Sequence, residues 1–215
     1  MTYLELVNGV LSRMREDVVT TVQGTDDVVV QLVKSFVNDA KRTVENSHTW
    51  NSLSVEWSFD TVVGQDKYTL TGTSRSCIIE YIYDDAGNPL RITNRAHLRS
   101  KALSGAALNT SRYYILDGED ANGNVNIRVW PAPEKATTYH AFGFQPTADL
   151  SNDTDKLKVP AMPVLYLAQA LAARERGEVG GQTPQELVLL AERTLRDEIG
   201  KDAVNSEPEN IWIPV

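Results

Sequence analysis

The stretch from Val159 to Asp202 constrains this chain most, because its pattern fits two helices folded back on each other. Pro160 and Pro163 stand where a first helical turn tolerates proline, and Met162, Leu165, Ala168, Leu171 and Ala172 recur at helical spacing to form an apolar face. Ala168, Ala170, Ala172 and Ala173 keep that helix thin, so another can approach closely. The run Gly177-Glu178-Val179-Gly180-Gly181 supplies a turn. Thr183-Pro184-Gln185-Glu186 then restarts a helix, with Thr183 and Glu186 spaced as a reciprocal cap. Leu187, Leu190, Ala191, Leu195 and Ile199 form its apolar face. Such a hairpin cannot cover its own apolar faces and needs partners from elsewhere in the chain.

The beginning of the chain offers them. Thr2 and Glu5 repeat the capping spacing ahead of Leu4, Val7, Val10, Leu11 and Met14, a helix expected to end near Glu16. After Gly24, Asp26 and Asp27 suit the positive end of a longer helix, with Lys41 and Arg42 towards its negative end. Val29, Leu32, Val33, Phe36, Ala40 and Val44 make its face, and it should stop before Trp50.

The period then changes from helical to twofold. Leu53, Val55, Trp57 and Phe59 alternate with polar residues, as in a half-buried strand. Similar runs follow at 67–71, 77–83, 112–116, 125–130 and 137–144, separated by turn clusters such as Asp84-Asp85-Ala86-Gly87-Asn88. Residues 93–103 read as a short helix among them. The expected architecture is α+β: a four-helix bundle from residues 1–50 and 151–204, an inserted antiparallel β sandwich or small barrel over 51–150, and an extended tail at 205–215.

Composition narrows the possible functions. No apolar run reaches the roughly 20 residues a membrane-spanning helix requires. The first residues lack the order of a signal peptide, and one cysteine excludes an internal disulfide. A net charge of −8 is a poor basis for gripping nucleic acid. Nor does catalytic chemistry stand out. His48, His97 and His140 have no metal-ligand partner at helical spacing, and read respectively as a capping or surface residue, a solvated helix residue and a packed or edge strand residue. Cys77 opens an apolar strand and reads as buried, while Asp84-Asp85 and Glu119-Asp120 fall in hairpin turns. Neither a cofactor nor a metal is called for.

Two stretches suggest partner binding. From 91 to 112 the chain carries Arg91, Arg95, Arg99, Lys101 and Arg112 and no acid, a pattern for an acidic protein surface or a nucleic-acid backbone. The tail ends in Ile211-Trp212-Ile213-Pro214-Val215. Burying Trp212 gains about 5 kcal/mol. Ordering the backbone costs on the order of 1 kcal/mol per residue, so Ile211 and Ile213 must contribute. The expectation is that this segment adds to a sheet edge or lies in a groove of a neighbouring protein, another copy of the chain included, with packing on its own bundle as the alternative.

The segments TYLELVNGVLSRMRED, FVNDAKRTVENSHTW followed by SVEWSFDTV, GFQPTADL, and LAARERGEVGGQTPQELVLLAE resemble the head-to-tail adaptor of short-tailed bacteriophages, the tail tubular protein A family. The resemblance spans essentially the whole chain. It implies a structural virion protein without catalytic residues, made in the host cytoplasm. It further implies a homo-oligomeric ring of about twelve subunits closed by rotation. Such a ring sits beneath the portal protein, with the nozzle below and tail fibres or spikes at the rim. Genomic DNA passes through it without specific binding. Two competing readings are a tail-side or head-completion protein that binds receptor-recognition fibres or spikes through the β module, and a virion hydrolase using Cys77 or an Asp pair.

Overall fold

In the computed structural model, which describes residues 1–103, 112–177 and 183–205, the first helix starts where the capping residues place it. The Glu5 amide donates to Thr2 Oγ1 at 3.3 Å and the Thr2 amide to Glu5 Oε2 at 2.9 Å, opening α1 (Tyr3–Arg13). Asp27 caps α2 (Val28–Glu45), accepting from the Val29 amide at 2.8 Å. The chain falls into two units, Met1–Leu53 with the chain from Pro146 onward, and Ser54–Gln145.

In the helical unit, α1, α2 and α4 (Ala161–Arg176) pack pairwise around one core that includes Leu6, Val10, Val33, Val37, Trp50 and Leu165. The buried stripe of α2 runs through Val30, Val33, Val37, Ala40 and Val44, with Val29 and Phe36 only partly covered. Adjacent valines leave two stripes open to a periodicity argument, and packing against α4 selects one of them. On α4, Met162 points outward at 39% exposure, and Val164 and Ala170 are buried instead.

The second half of the hairpin, α5 (Pro184–Asn205), begins at the expected cap, with the Thr183 amide donating to Glu186 Oε2 at 2.9 Å. It packs along α4, and Leu187 forms a small separate cluster with Ala170 and Ala173. Leu195 and Ile199 lie half-buried against the main core. The arrangement is a shared core of α1, α2 and α4 with α5 laid against α4, rather than a bundle to which four helices contribute alike. The reason lies in α5, where only Leu187 and Ala191 are buried, Leu189 is exposed, and charged residues occupy much of the surface. At its far end, Asp202 holds the residues after α2, accepting from the Asn51 amide and meeting His48 Nε2, both at 3.2 Å. His48 is therefore a half-buried tie between helix ends.

The segment from Thr147 to Lys158 returns the chain to this unit with almost no regular structure, and side chains satisfy its backbone. Buried Lys41 donates to the Thr147 carbonyl at 2.8 Å and to Glu45 Oε2 at 2.9 Å, while Thr147 Oγ1 donates to Glu45 Oε1 at 2.6 Å. Asn38 bonds both the amide (2.9 Å) and the carbonyl (3.1 Å) of Leu150. Arg42 pairs with Asp149, and Asp153 accepts from the Val22 amide at 2.7 Å. Burial beside this strap, followed by the charge of Asp149, pushes the Tyr3 phenol up to about 12.

The second unit is one seven-stranded sheet. Its strands are β1 (Ser54–Asp60), β2 (Lys67–Thr69), β3 (Ile78–Asp84), β4 (Pro89–Ile92), β5 (Tyr113–Glu119), β6 (Val125–Trp130) and β7 (Thr138–Phe144), in the order β1-β7-β3-β4-β5-β6-β2. Phe59 on β1 and Tyr68 on β2 stack at 5.3 Å, so the two ends of the sheet approach and the barrel nearly closes. This is the barrel alternative, not the sandwich. The expected antiparallel pattern has one exception, because β4 and β5 run parallel. The helix α3 (Arg95–Leu103) lies between them in sequence and supplies the crossover a parallel pair needs. β4 had no signal of its own, since four residues beginning with proline carry no readable alternation. Trp57, Ile82, Tyr114, Ile127, Val129 and Ala141 belong to the interior. Where β7 crosses β3, a Cβ on Gly143 would lie 1.9 Å from the Ile78 carbonyl oxygen, so only glycine permits that approach beside the bulge at Ile79.

The Lys41–Glu45 pair makes a direct test of the strap. Lys41→Ala leaves a buried carboxylate without its cation and should lower stability by about 3–5 kcal/mol, whereas Lys41→Met with Glu45→Leu should recover most of that loss. Chemical denaturation of the three proteins measures it.

Candidate partner-binding surface

The basic stretch is built around α3. Asn94 caps the helix, its side-chain oxygen accepting from the His97 amide at 2.8 Å. Leu98 is buried, His97 meets the Tyr113 ring edge-on at 5.4 Å, and Tyr113 contacts Trp130 at 6.2 Å. The helix therefore covers the outer face of β5 and β6. His97 is half-buried by this contact instead of solvated.

The cations of the stretch divide into two groups. Arg95 donates to Asp117 at 2.6 Å, and Asp117 also receives Arg128 at 3.0 Å and Lys67 at 4.0 Å. Asp117 is only 12% exposed, so it serves as the internal counter-ion of that site. Arg95, Asp117 and Arg128, with Asp66 and Arg99, border a cavity of about 430 Å³ whose mixed charge does not suit an anion. Arg91, Arg99 and Arg112 are exposed, and no acid pairs with them among the described residues. Lys101 lies in α3. Within the subunit, Arg95 meets an acid that lies beyond the acid-free window, and only folding brings Asp117 back to it. Ile211, Trp212 and Ile213 lie outside the described residues.

The opposite side of the barrel carries a surface that strand periodicity alone did not single out. On the outer face of β7 and β3, Phe142 faces Tyr81, and Tyr83 contacts Phe142 at 6.2 Å and Tyr81 at 6.2 Å. Tyr81 is 54% exposed and Phe142 37%. Beside them β1 presents Glu56 and Asp60, paired in register with Phe142 and Thr138. His140 bridges the acids, Nδ1 lying 3.0 Å from Glu56 and Nε2 3.2 Å from Asp85. A hint was available in TYHAFGF, where Phe142 shares a phase with Thr138 and His140; in IIEYIYD the signal is hidden, because Tyr81 and Tyr83 alternate with Glu80 and Asp84 and read as the inner phase until the bulge after Ile79 turns them outward.

None of these groups is set up for covalent chemistry. Burial pushes the Cys77 thiol up, the reverse of what a nucleophile needs, and Cys77 is half-buried at the margin of the barrel core. Asp84 and Asp120 spend their carboxylates on turn amides, at 3.0 Å to Ala86 and 2.8 Å to Asn122. Among the described residues no group of three or more His, Cys, Asp or Glu is arranged to hold a metal, and no helix is long and apolar enough to cross a membrane.

The chain thus joins a helical unit, held by its own side-chain-bonded strap, to an inserted barrel unit with exposed aromatic and basic faces. The family model of the SU10 adaptor protein matches residues 1–206, and the chain belongs to that family. It is a family of structural phage head–tail adaptors, not of enzymes. Comparison with curated proteins finds no match. The family match supports an adaptor and does not itself distinguish the tail tubular protein A type that the motifs resemble.

The His140 bridge predicts a pH signature for the β unit. Bonding to Asp85, and then to Glu56, raises the His140 pKa. Its contribution is full below the ordinary histidine value of about 6.5 and is lost as pH rises through the raised one. Asp85 is lowered, first by the Thr138 amide and then by His140, so its contribution is present above the usual carboxylate range and lost as pH falls through the lowered value. Melting temperature should therefore plateau in the mildly acidic range and fall on both sides. In His140→Gln the decline on the alkaline side should disappear.

Proposed function

We propose that this chain is a head-to-tail adaptor of the tail tubular protein A type. Copies of it form a ring of about twelve subunits between portal and tail nozzle, and the ring surrounds the DNA passage. The observation that carries the reading is the family match over residues 1–206, joined to the motif resemblance along the same length. The helices from the two chain ends form the scaffold. The completed four-helix grouping belongs to this reading, with α5 and the tail 205–215 presenting the side that meets other virion proteins.

In this reading the segment Ile211–Trp212–Ile213 docks on the portal, and the cluster Arg91, Arg95, Arg99 and Lys101 meets an acidic surface of a neighbouring virion protein. Nozzle protein and tail fibres or spikes are the remaining partners. Genomic DNA is a passenger: a net charge of −8 suits a conduit, since a strongly basic lumen would bind DNA and slow its passage. The subunit is incorporated into the virion and is mainly monomeric before the portal templates the ring.

Capture by purified portal rings tests this. The full chain should bind the portal. Deleting Ile211–Val215 should abolish capture while leaving the subunit's melting temperature nearly unchanged. Failure of the full chain to bind portal would overturn the adaptor reading. Capture that survives the deletion, together with a large loss of stability, would return the tail to its own subunit's core.

A further inference from the structure

The β unit carries two exposed faces of opposite character on different sides of one barrel. The first, on β1, β7 and β3, combines the aromatic group Tyr81, Tyr83 and Phe142 with the acids Glu56 and Asp60. The second is α3 with the start of β5, where Arg99 and Arg112 are exposed and unpaired by any acid among the described residues. In the strand order β1-β7-β3-β4-β5-β6-β2, β7 stands three places from β5. In a nearly closed barrel of seven strands, three places is close to half a turn. The two faces therefore point in roughly opposite directions.

Within the subunit Glu56 bonds His140 and Asp60 accepts from the Thr138 hydroxyl, but Glu56 stays half exposed and nothing among the described residues covers Tyr81. Aromatics standing on the outer phase of a sheet leave apolar area in water, and clusters of Tyr and Phe beside charge are typical of the centres of protein interfaces. The acids on one side are opposite in sign to the cations on the other. Identical faces would pair two copies about a twofold axis. Two different complementary faces on opposite sides instead stack copies head to tail, the arrangement that closes into a ring or runs on as a filament.

We propose that the partner of the aromatic and acidic face is a second copy of this chain, presenting its α3 face with Arg99 and Arg112. This rests on the adaptor reading only for the claim that the resulting chain of copies closes. Tyr81 and Phe142 provide the apolar centre of the contact. Glu56 and Asp60 oppose Arg99 and Arg112 at its edge and fix its direction. Arg95 contributes little, because Asp117 already holds it.

Sedimentation velocity over a series of concentrations, without portal, tests the contact. The wild-type chain should associate weakly as concentration rises. Tyr81→Ser with Phe142→Ser should weaken association by about tenfold or more. Glu56→Lys with Asp60→Lys should do the same, as should Arg99→Glu with Arg112→Glu. Mixing these two charge variants in equal amounts should restore association, because each then offers the sign the other needs. Restoration also shows that both variants are folded. Wild-type protein that stays monomeric up to its solubility limit would overturn the proposal, as would charge variants that associate like wild type or a mixture that is not restored. Portal capture by the wild-type chain, measured alongside, keeps such a failure apart from failure of the adaptor reading itself.

Discussion

The helical unit depends on how a long excursion of the chain is brought back. The polypeptide leaves this unit after Leu53 and re-enters at Pro146, and closing so long a loop costs entropy that grows only slowly with its length. The closure is specified by direction as well as proximity. Lys41 and Glu45 stand one helical turn apart on α2, and Thr147 offers them a carbonyl and a hydroxyl. Each member satisfies another, which is the condition under which a buried charge is tolerable. Four residues of α2 engage the strap, Asn38 at Leu150, Arg42 at Asp149, and Lys41 with Glu45 at Thr147. The register of the strap therefore follows from the register of the helix, and Val159, Val164 and Leu165 are delivered to the core behind it.

In the β unit a different constraint operates. Inserting α3 between β4 and β5 makes their pairing parallel and lays a helix across the outer surface of β5 and β6. That helix would bring like charges together, and Asp117 relieves the crowding by accepting Arg95 and Arg128. Arg95 stays largely exposed but has its charge partnered, which leaves Arg91, Arg99 and Arg112 as exposed cations that no acid pairs among the described residues. A buried counter-ion thus sorts a basic cluster into a structural and an available part.

Much of the fold was legible because it is written in local chemistry. The caps at Thr2 and Thr183 place helix starts, and the switch to twofold alternation at Leu53 places the start of the barrel unit. What could not be read depends on contacts between distant segments. The choice of Val30 over Val29, the parallel pairing of β4 and the burial of Lys41 are all decided by residues tens of positions away. Lys41 suits the helix dipole, and Glu45 stands within reach one turn on, yet the Thr147 carbonyl and hydroxyl that complete the buried group come into view only once the strap is in place. The partner-binding surface divides the same way. A run of arginines without an acid is a sequence feature, whereas Asp117 and the aromatic group on β3 and β7 require the sheet order.

The distribution of charge gives these surfaces their use. A chain with net charge −8 repels its own copies at a distance, so an association built on apolar contact alone would be opposed on approach. Exposed arginines clustered on one side of an acidic molecule reverse that repulsion for one orientation only. The opposing acids at Glu56 and Asp60 sit beside the aromatics, so the encounter that charge favours is also the one that covers apolar surface. Salt screening acts mainly on the approach, over a Debye length of about 8 Å, and much less on a contact whose aromatic centre is dry. A subunit of this kind resists association with itself in most orientations and accepts it in one. The proposed ring would need that property, because a wrongly turned copy could not be corrected once its neighbours had closed around it.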